Sequence, residues 1–299
     1  MFNKEKLEAF HNKYYLKLLI IPALMLIFSL TFLGMTYMKT GEFIAKDVTL
    51  KGGLTATVYS DQSVDIQELS IFLKEKFPDK DLIIRKLTDF NTDRDLGITV
   101  EADLNSDQES EFKSALKEKI SFTEEQYSIE ETGNTLGKSF FKEMINALIF
   151  AFIFMGIVIF VSYRSFVPSF TVIMSAVFDI IVTLAIISFM GVRLSSAGIS
   201  AFLLIVGYSV DTDVLIATKL LKHKGARGEF DMIYEATKTG LTMTLVTIGA
   251  VLVGYWLTNS LVLEQIFLIL LVSCFVDIPA TWITSTSVLK YYMKKKHGN

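Results

Sequence analysis

The chain has 299 residues, 51% of them apolar, with 24 Phe, only 4 Pro and a formal net charge of −3. Its mean hydropathy of +0.44 excludes an ordinary soluble domain and places it in the membrane class. Cys274 is the only cysteine, which excludes a disulfide framework and any cysteine-based metal site.

The first apolar run, Leu16–Met38, follows Lys4, Lys6, Lys13 and Lys17. It is too long for a signal-peptide core and no small-residue cleavage site follows, so residues 1–38 read as a cytoplasmic N-terminus and an uncleaved first membrane helix. Residues 39–138 form the one large segment without such a run. They carry acids in excess, among them Asp103, Asp107, Glu109, Glu111, Glu124, Glu125, Glu130 and Glu131. An acidic domain argues against nucleic acid or anionic lipid as a partner. Within it Leu54–Ser60, Asp81–Leu87, Leu96–Ala102 and Gln126–Glu131 read as strands. Asp65–Phe77 and Asp107–Ile120 carry apolar residues at helical spacing. The order β-α-β-β-α-β predicts a ferredoxin-like α+β domain.

Residues 139–290 hold five further runs: Met144–Tyr163, Pro168–Met190, Ala197–Ala217, Thr242–Leu257 and Glu264–Leu289. The fifth span is short unless it begins near Thr239. The predicted fold is thus a six-helix polytopic membrane protein with the α+β domain between helices 1 and 2. The N-terminal lysines, Arg164, the loop Lys219–Lys238 and the basic tail 291–299 fall on one side. The positive-inside rule makes that side cytoplasmic and residues 39–138 exterior, in a cell membrane.

The fourth span carries the most informative residues, Asp211 and Asp213. A carboxylate at membrane depth costs roughly 2.5–3.5 kcal/mol and marks a functional site by default. At about 100° per residue the two point to different faces. Asp211 shares its stripe with Ser200, Leu204 and Gly207; Asp213 shares its stripe with Phe202, Val206 and Ser209. Gly207 permits close helix approach one turn before Asp211, so Asp211 is expected to be the principal proton- or ion-coupling residue and Asp213 the secondary one. The fifth span offers a packing partner in Gly240, Thr244 and Thr247, with Thr242 beside them and Lys238 at its entry. Asp179 in span three and Asp277 in span six, next to Pro279, are further coupling candidates or else structural acids. No phosphate-binding glycine loop is present, and His11, His223 and His297 lack ligand spacing. No cofactor, metal site or catalytic residue is expected. An intramembrane aspartyl protease is disfavoured because no Gly stands immediately before Asp211 and no second matching motif appears.

Several segments carry a family resemblance. Asp47–Gly53, Thr135–Gly137, Met190–Ser195 continuing to Gly207–Asp213, and Lys238–Thr244 occur in order around one exterior domain and six spans. In this arrangement the chain resembles the SecF-type members of the SecD/SecF protein-export family, most nearly their archaeal form. The resemblance implies half of a twelve-helix complex of the resistance-nodulation-division superfamily, with SecD as partner. It also implies a SecY-type channel and exported polypeptides as further partners, and use of the proton-motive force through span-four acids. It carries that role to Asp211 and, after it, Asp213. Bacterial members have an arginine near span five, where this chain has Lys238 and Thr239. A structural scaffold and a small-molecule transporter half are the alternative readings.

Overall fold

The computed structural model describes residues 14–60, 64–78, 80–88, 95–222, 229–258 and 260–297. Lys4, Lys6, His11 and Lys13, with His223 and Lys224 of the basic loop, lie outside them. Six helices are long and apolar enough to cross a membrane: 14–40, 139–163, 166–189, 196–220, 230–257 and 261–295. The chain is a multi-pass membrane protein.

Helix α1 (Ile20–Thr40) ends where Gly41 turns left-handed at φ 75°. A short helix α2 (Val48–Lys51) follows, capped by Asp47, whose carboxylate accepts from Thr49 N. Then come β1 (Gly53–Tyr59), α3 (Ile66–Lys76), β2 (Leu82–Thr88), β3 (Asp95–Ala102), α4 (Glu109–Lys119) and β4 (Tyr127–Thr132). The sheet order is β2-β3-β1-β4 with every neighbouring pair antiparallel, which is the ferredoxin-like topology predicted.

Strand alternation places Leu54, Ala56 and Val58 of β1 beside Ile98 and Val100 of β3 on one face. Four-residue spacing brings Leu69 and Leu73 of α3, and Phe112 and Leu116 of α4, onto that face. Each such side chain contributes about 1.5–3 kcal/mol on full burial. Gly97, at φ 147°, runs so close to β1 that a Cβ would lie 2.0 Å from the Val58 carbonyl oxygen. The strands could not pair there with any other residue.

Helix α5 runs unbroken from Asn134 to Tyr163, so the domain leads into the second span without a linker. The remaining helices are α6 (Phe166–Phe189), α7 (Ser196–Lys222), α8 (Glu229–Leu257) and α9 (Leu261–Pro279). A π-helical turn, Ala280–Ser285, follows, and then α10 (Thr286–His297). Helix α8 begins well before Thr239, correcting the short fifth span. Phe230, Ile233 and Ala236 continue its buried stripe, and the intervening Asp231, Glu235 and Lys238 hid that periodicity among charges. The stripe packs on Ile216 and Leu220 of α7 and Leu289 of α10. Pro279 has no N–H to give, and the widened π turn begins directly after it.

The α+β domain is tied to the bundle. Ile44 and Leu50 join Ile187, Leu194, Ile205 and Ile269 in one apolar cluster. Lys46 bridges Leu194 in parallel, with Asp47 N to Leu194 O at 3.0 Å and Leu194 N to Ala45 O at 2.8 Å. Gly137 admits the backbone of Leu50 and Gly52, which a Cβ would meet at 3.0 Å.

Candidate functional site

Helices α6, α7 and α9 each bring one carboxylate to a common point in the bundle. Asp179, Asp213 and Asp277 are all fully buried. Ser209 Oγ donates to Asp179 Oδ2. Thr281 Oγ1 donates to Asp277 Oδ1 at 2.8 Å, and Thr212 Oγ1 lies 3.3 Å from Asp277 Oδ2. Asp179 and Asp277 are near enough to act on each other electrostatically. Asp213 faces Ser175, Thr281 and Ser285. Neither of its oxygens makes a hydrogen bond, nor do Asp179 Oδ1, Ser175 Oγ or Ser285 Oγ.

The groups acting on these carboxylates are hydroxyls and one another, not cations. Burying like charges in an apolar bundle without a cationic partner is costly.

Local sequence explains the assembly. Ser175 and Asp179 are four residues apart on α6, and Asp277, Thr281 and Ser285 repeat every four at the end of α9 and through the π turn. Ser209, Thr212 and Asp213 supply the facing side of α7. The expected order of the two span-four acids is reversed in depth: Asp213 is buried, whereas Asp211 is exposed. Asp211 lies on an outward stripe with Leu204 and Gly207, and a Cβ on Gly207 would meet nothing within 4 Å. Among the described residues no helix uses that glycine for close approach. The small residues that allow tight packing are on the opposite face of α7, at Ala201, Ser209 and Thr212.

The predicted partner surface of the fifth span divides, with Thr244 and Thr247 beside Tyr208 of α7 and Gly240 turned to another helix. Gly240 gives room to the Trp282 indole, which a Cβ would meet at 2.3 Å, and Thr244 is buried with Tyr208 beside it. Thr247 Oγ1 donates to Met243 O of its own helix. Lys238 is exposed, and among the described residues no carboxylate pairs with it. The hydroxyls Ser175, Ser209, Thr212, Thr281 and Ser285 were not singled out as site residues; the four-residue spacing of Ser175, Ser209 and Thr281 to the acids was the available signal.

A second polar assembly lies where the α+β domain meets the bundle. Arg193, just before α7, holds Asp81 through both guanidinium nitrogens, Nη2 to Oδ1 at 2.6 Å. That contact holds the Asp81 carboxyl below the usual range. Gln265 of α9 donates to Arg193 O, and Ser195 Oγ donates to Gln265 Oε1. Thr49 Oγ1 donates to Asp47 at 2.6 Å and accepts from Ser196 N at 2.9 Å. On the sheet, Arg85 Nη1 meets Glu101 Oε1 at 3.2 Å. Burial pushes the Asp47 and Glu101 carboxyls up.

Comparison with known proteins gives concordant matches. Residues 111–295 match the family described as protein export membrane protein SecD/SecF, C-terminal. The protein-export membrane protein SecF of Methanolacinia petrolearia is 34% identical over 288 residues, covering 95% of this chain and 96% of that relative. SecF of Pyrococcus furiosus is 32% identical over 296 residues, covering 99% and 97%. The crystal structure of SecDF, a translocon-associated membrane protein from Thermus thermophilus, shares the fold at a TM-score of 0.71 and 20% identity. That match covers 94% of this chain but only 38% of the longer one. SecDF in its super-membrane-facing form gives a TM-score of 0.57.

Proposed function

The chain belongs to the SecD/SecF family of protein-export membrane proteins, and from that premise we propose that it is a non-enzymatic SecF-type subunit. In this reading it works beside SecD at a SecY-type channel, promotes export of polypeptides and uses protons to do so. Its termini are cytoplasmic and its α+β domain, between about residues 39 and 138, is exterior.

One observation carries the proton part: Asp179, Asp213 and Asp277 are buried together, and among the described residues none of them forms an ion pair. Loss of a proton leaves like charges facing one another across α6, α7 and α9, which drives these helices apart; regaining it draws them together. One charge crossing 100 mV supplies about 2.3 kcal/mol, enough to shift a two-state arrangement substantially. Helix α7 carries the movement outward, since Arg193 and Ser196 at its start hold Asp81 and Thr49 of the exterior segment. Asp211, with Leu204 and Gly207, faces away from this chain, where bare lipid would make its charge costly. SecD covers this stripe in our reading, which keeps a coupling role for Asp211 at the subunit boundary.

The test is export of a reporter by cells carrying Asp213→Asn or Asp277→Asn, with SecD recovered by pull-down. Asn keeps hydrogen bonding but cannot titrate. Reduced export with SecD still bound supports coupling; unchanged export in both variants replaces it with the scaffold reading.

A further inference from the structure

β2 is an edge strand: among the described residues no strand lies beyond it in the order β2-β3-β1-β4. A cleft of about 400 Å³ separates it from the turn before α7 and the start of α9. Ile83, Ile84 and Arg85 all line this cleft. Successive strand residues point to opposite faces, so a cavity touched by three in a row runs along the strand's backbone edge and not over one face of the sheet. The facing walls are Val192 before α7, and Leu261 and Leu268 of α9.

The edge is protected only at its far end. The register shift lies between Leu87 and Thr88, and bulges of this kind bend an edge away from further pairing. Leu82–Lys86 pairs regularly with β3 on its inner side, leaving a straight outer edge against the cleft. The cationic groups of the lining are already engaged, Arg85 with Glu101 and Arg193 with Asp81. What remains is a row of backbone donors and acceptors between apolar walls, with Glu264 at the rim disfavouring acidic guests. Only an extended peptide matches both features, through strand addition for its backbone and apolar contacts for alternate side chains.

We infer that the cleft between β2 and α9 binds an extended, apolar segment of the exported polypeptide by adding it as a fifth strand to the sheet. The inference rests on the export reading above and locates its substrate contact. The cleft is walled by α9 and by the residues entering α7, so opening or closing of the carboxylate cluster alters its width.

The experiment uses the full chain with SecD and a stalled, tagged export reporter. Ile83 and Leu268 are replaced in turn by a photo-crosslinking amino acid, with exposed Ile71 on α3 as the control. Adducts with the reporter at positions 83 and 268, absent at 71, are expected. Leu261→Trp, which fills the cleft, is expected to cut the position-83 adduct several-fold while SecD binding persists. Adducts to SecD alone, no reporter adduct at either position, or an adduct indifferent to Leu261→Trp would each overturn the inference. If deleting the chain leaves reporter export unchanged, the export reading itself fails, and that result is separate from any adduct pattern.

Discussion

The two polar assemblies use acids in opposite ways. At the domain junction Asp81 has Arg193, and Glu101 has Arg85. On the surface of the α+β domain Glu124 has Lys113 and Lys117, which hold its carboxyl down at about 2. In the bundle Asp179, Asp213 and Asp277 have hydroxyls and each other. A carboxylate with a cation is held in its charged form and fixes geometry. A carboxyl whose neighbours are carboxyls has no such anchor, and the cost of charging it depends on the charge of its neighbours. In our proposal the junction stays and the cluster changes.

That contrast is most directly broken by neutral isosteres. Asp213→Asn should reduce export stimulation to background while moving the thermal midpoint of the purified chain little, because Asp213 makes no hydrogen bond to lose. A large drop in midpoint with export intact would return Asp213 to the structural class. Gly240→Val tests packing near the cluster without touching its acids. Its side chain would collide with Trp282, and overpacking of this kind costs roughly 1–3 kcal/mol. An unchanged melting profile would mean that the indole and α8 separate freely.

The α+β domain was legible because its signals are local. Two-residue alternation and four-residue helical spacing gave its four strands and two longer helices in order, and the topology followed, but the short α2 was not foreseen. The cluster was half legible. Residue angles placed Asp211 and Asp213 on different faces, but only the packed bundle decides which face is inside. Gly207 lies on the face this chain leaves open, because a glycine shows where a helix can be approached, not which helix approaches it. The contacts that assemble the site join residues 30 and 65 positions apart, Asp179 with Ser209 and Asp277 with Thr212, a range over which helical periodicity carries no information. The Asp81–Arg193 contact spans 112 positions and left no local trace at all.

At the junction, Arg193→Ala removes the forked partner of Asp81 and leaves Lys51 at 3.8 Å. With Asp81 partly exposed, the expected loss is about 1 kcal/mol, read as faster amide exchange in residues 45–51. The pH dependence follows from the lowered Asp81 value. Stabilisation from this pair is complete above the ordinary aspartate range and is lost as pH falls through the lowered value. Exchange protection that persists in Arg193→Ala, or at a pH below the lowered Asp81 value, would show that the apolar contacts of Ile44 and Leu50, not the ion pair, hold the domain down.

Glu101 gives the smallest effect and the finest test, because it lies between the two classes. It has a cationic partner in Arg85, yet its Oε2 is buried without a hydrogen bond and burial outweighs the pairing, leaving its carboxyl above the usual range. A group raised in the folded state contributes stability that is full below its unfolded value, about 4.3, and is lost as pH rises through the folded one. Glu101→Gln should therefore raise the thermal midpoint at pH 7 by an amount worth less than about 1 kcal/mol, and the gain should vanish near pH 4, where glutamate is itself neutral. A fall in midpoint at pH 7 would mean that Arg85 wins over burial, and Glu101 would join Asp81 among the acids that fix the structure.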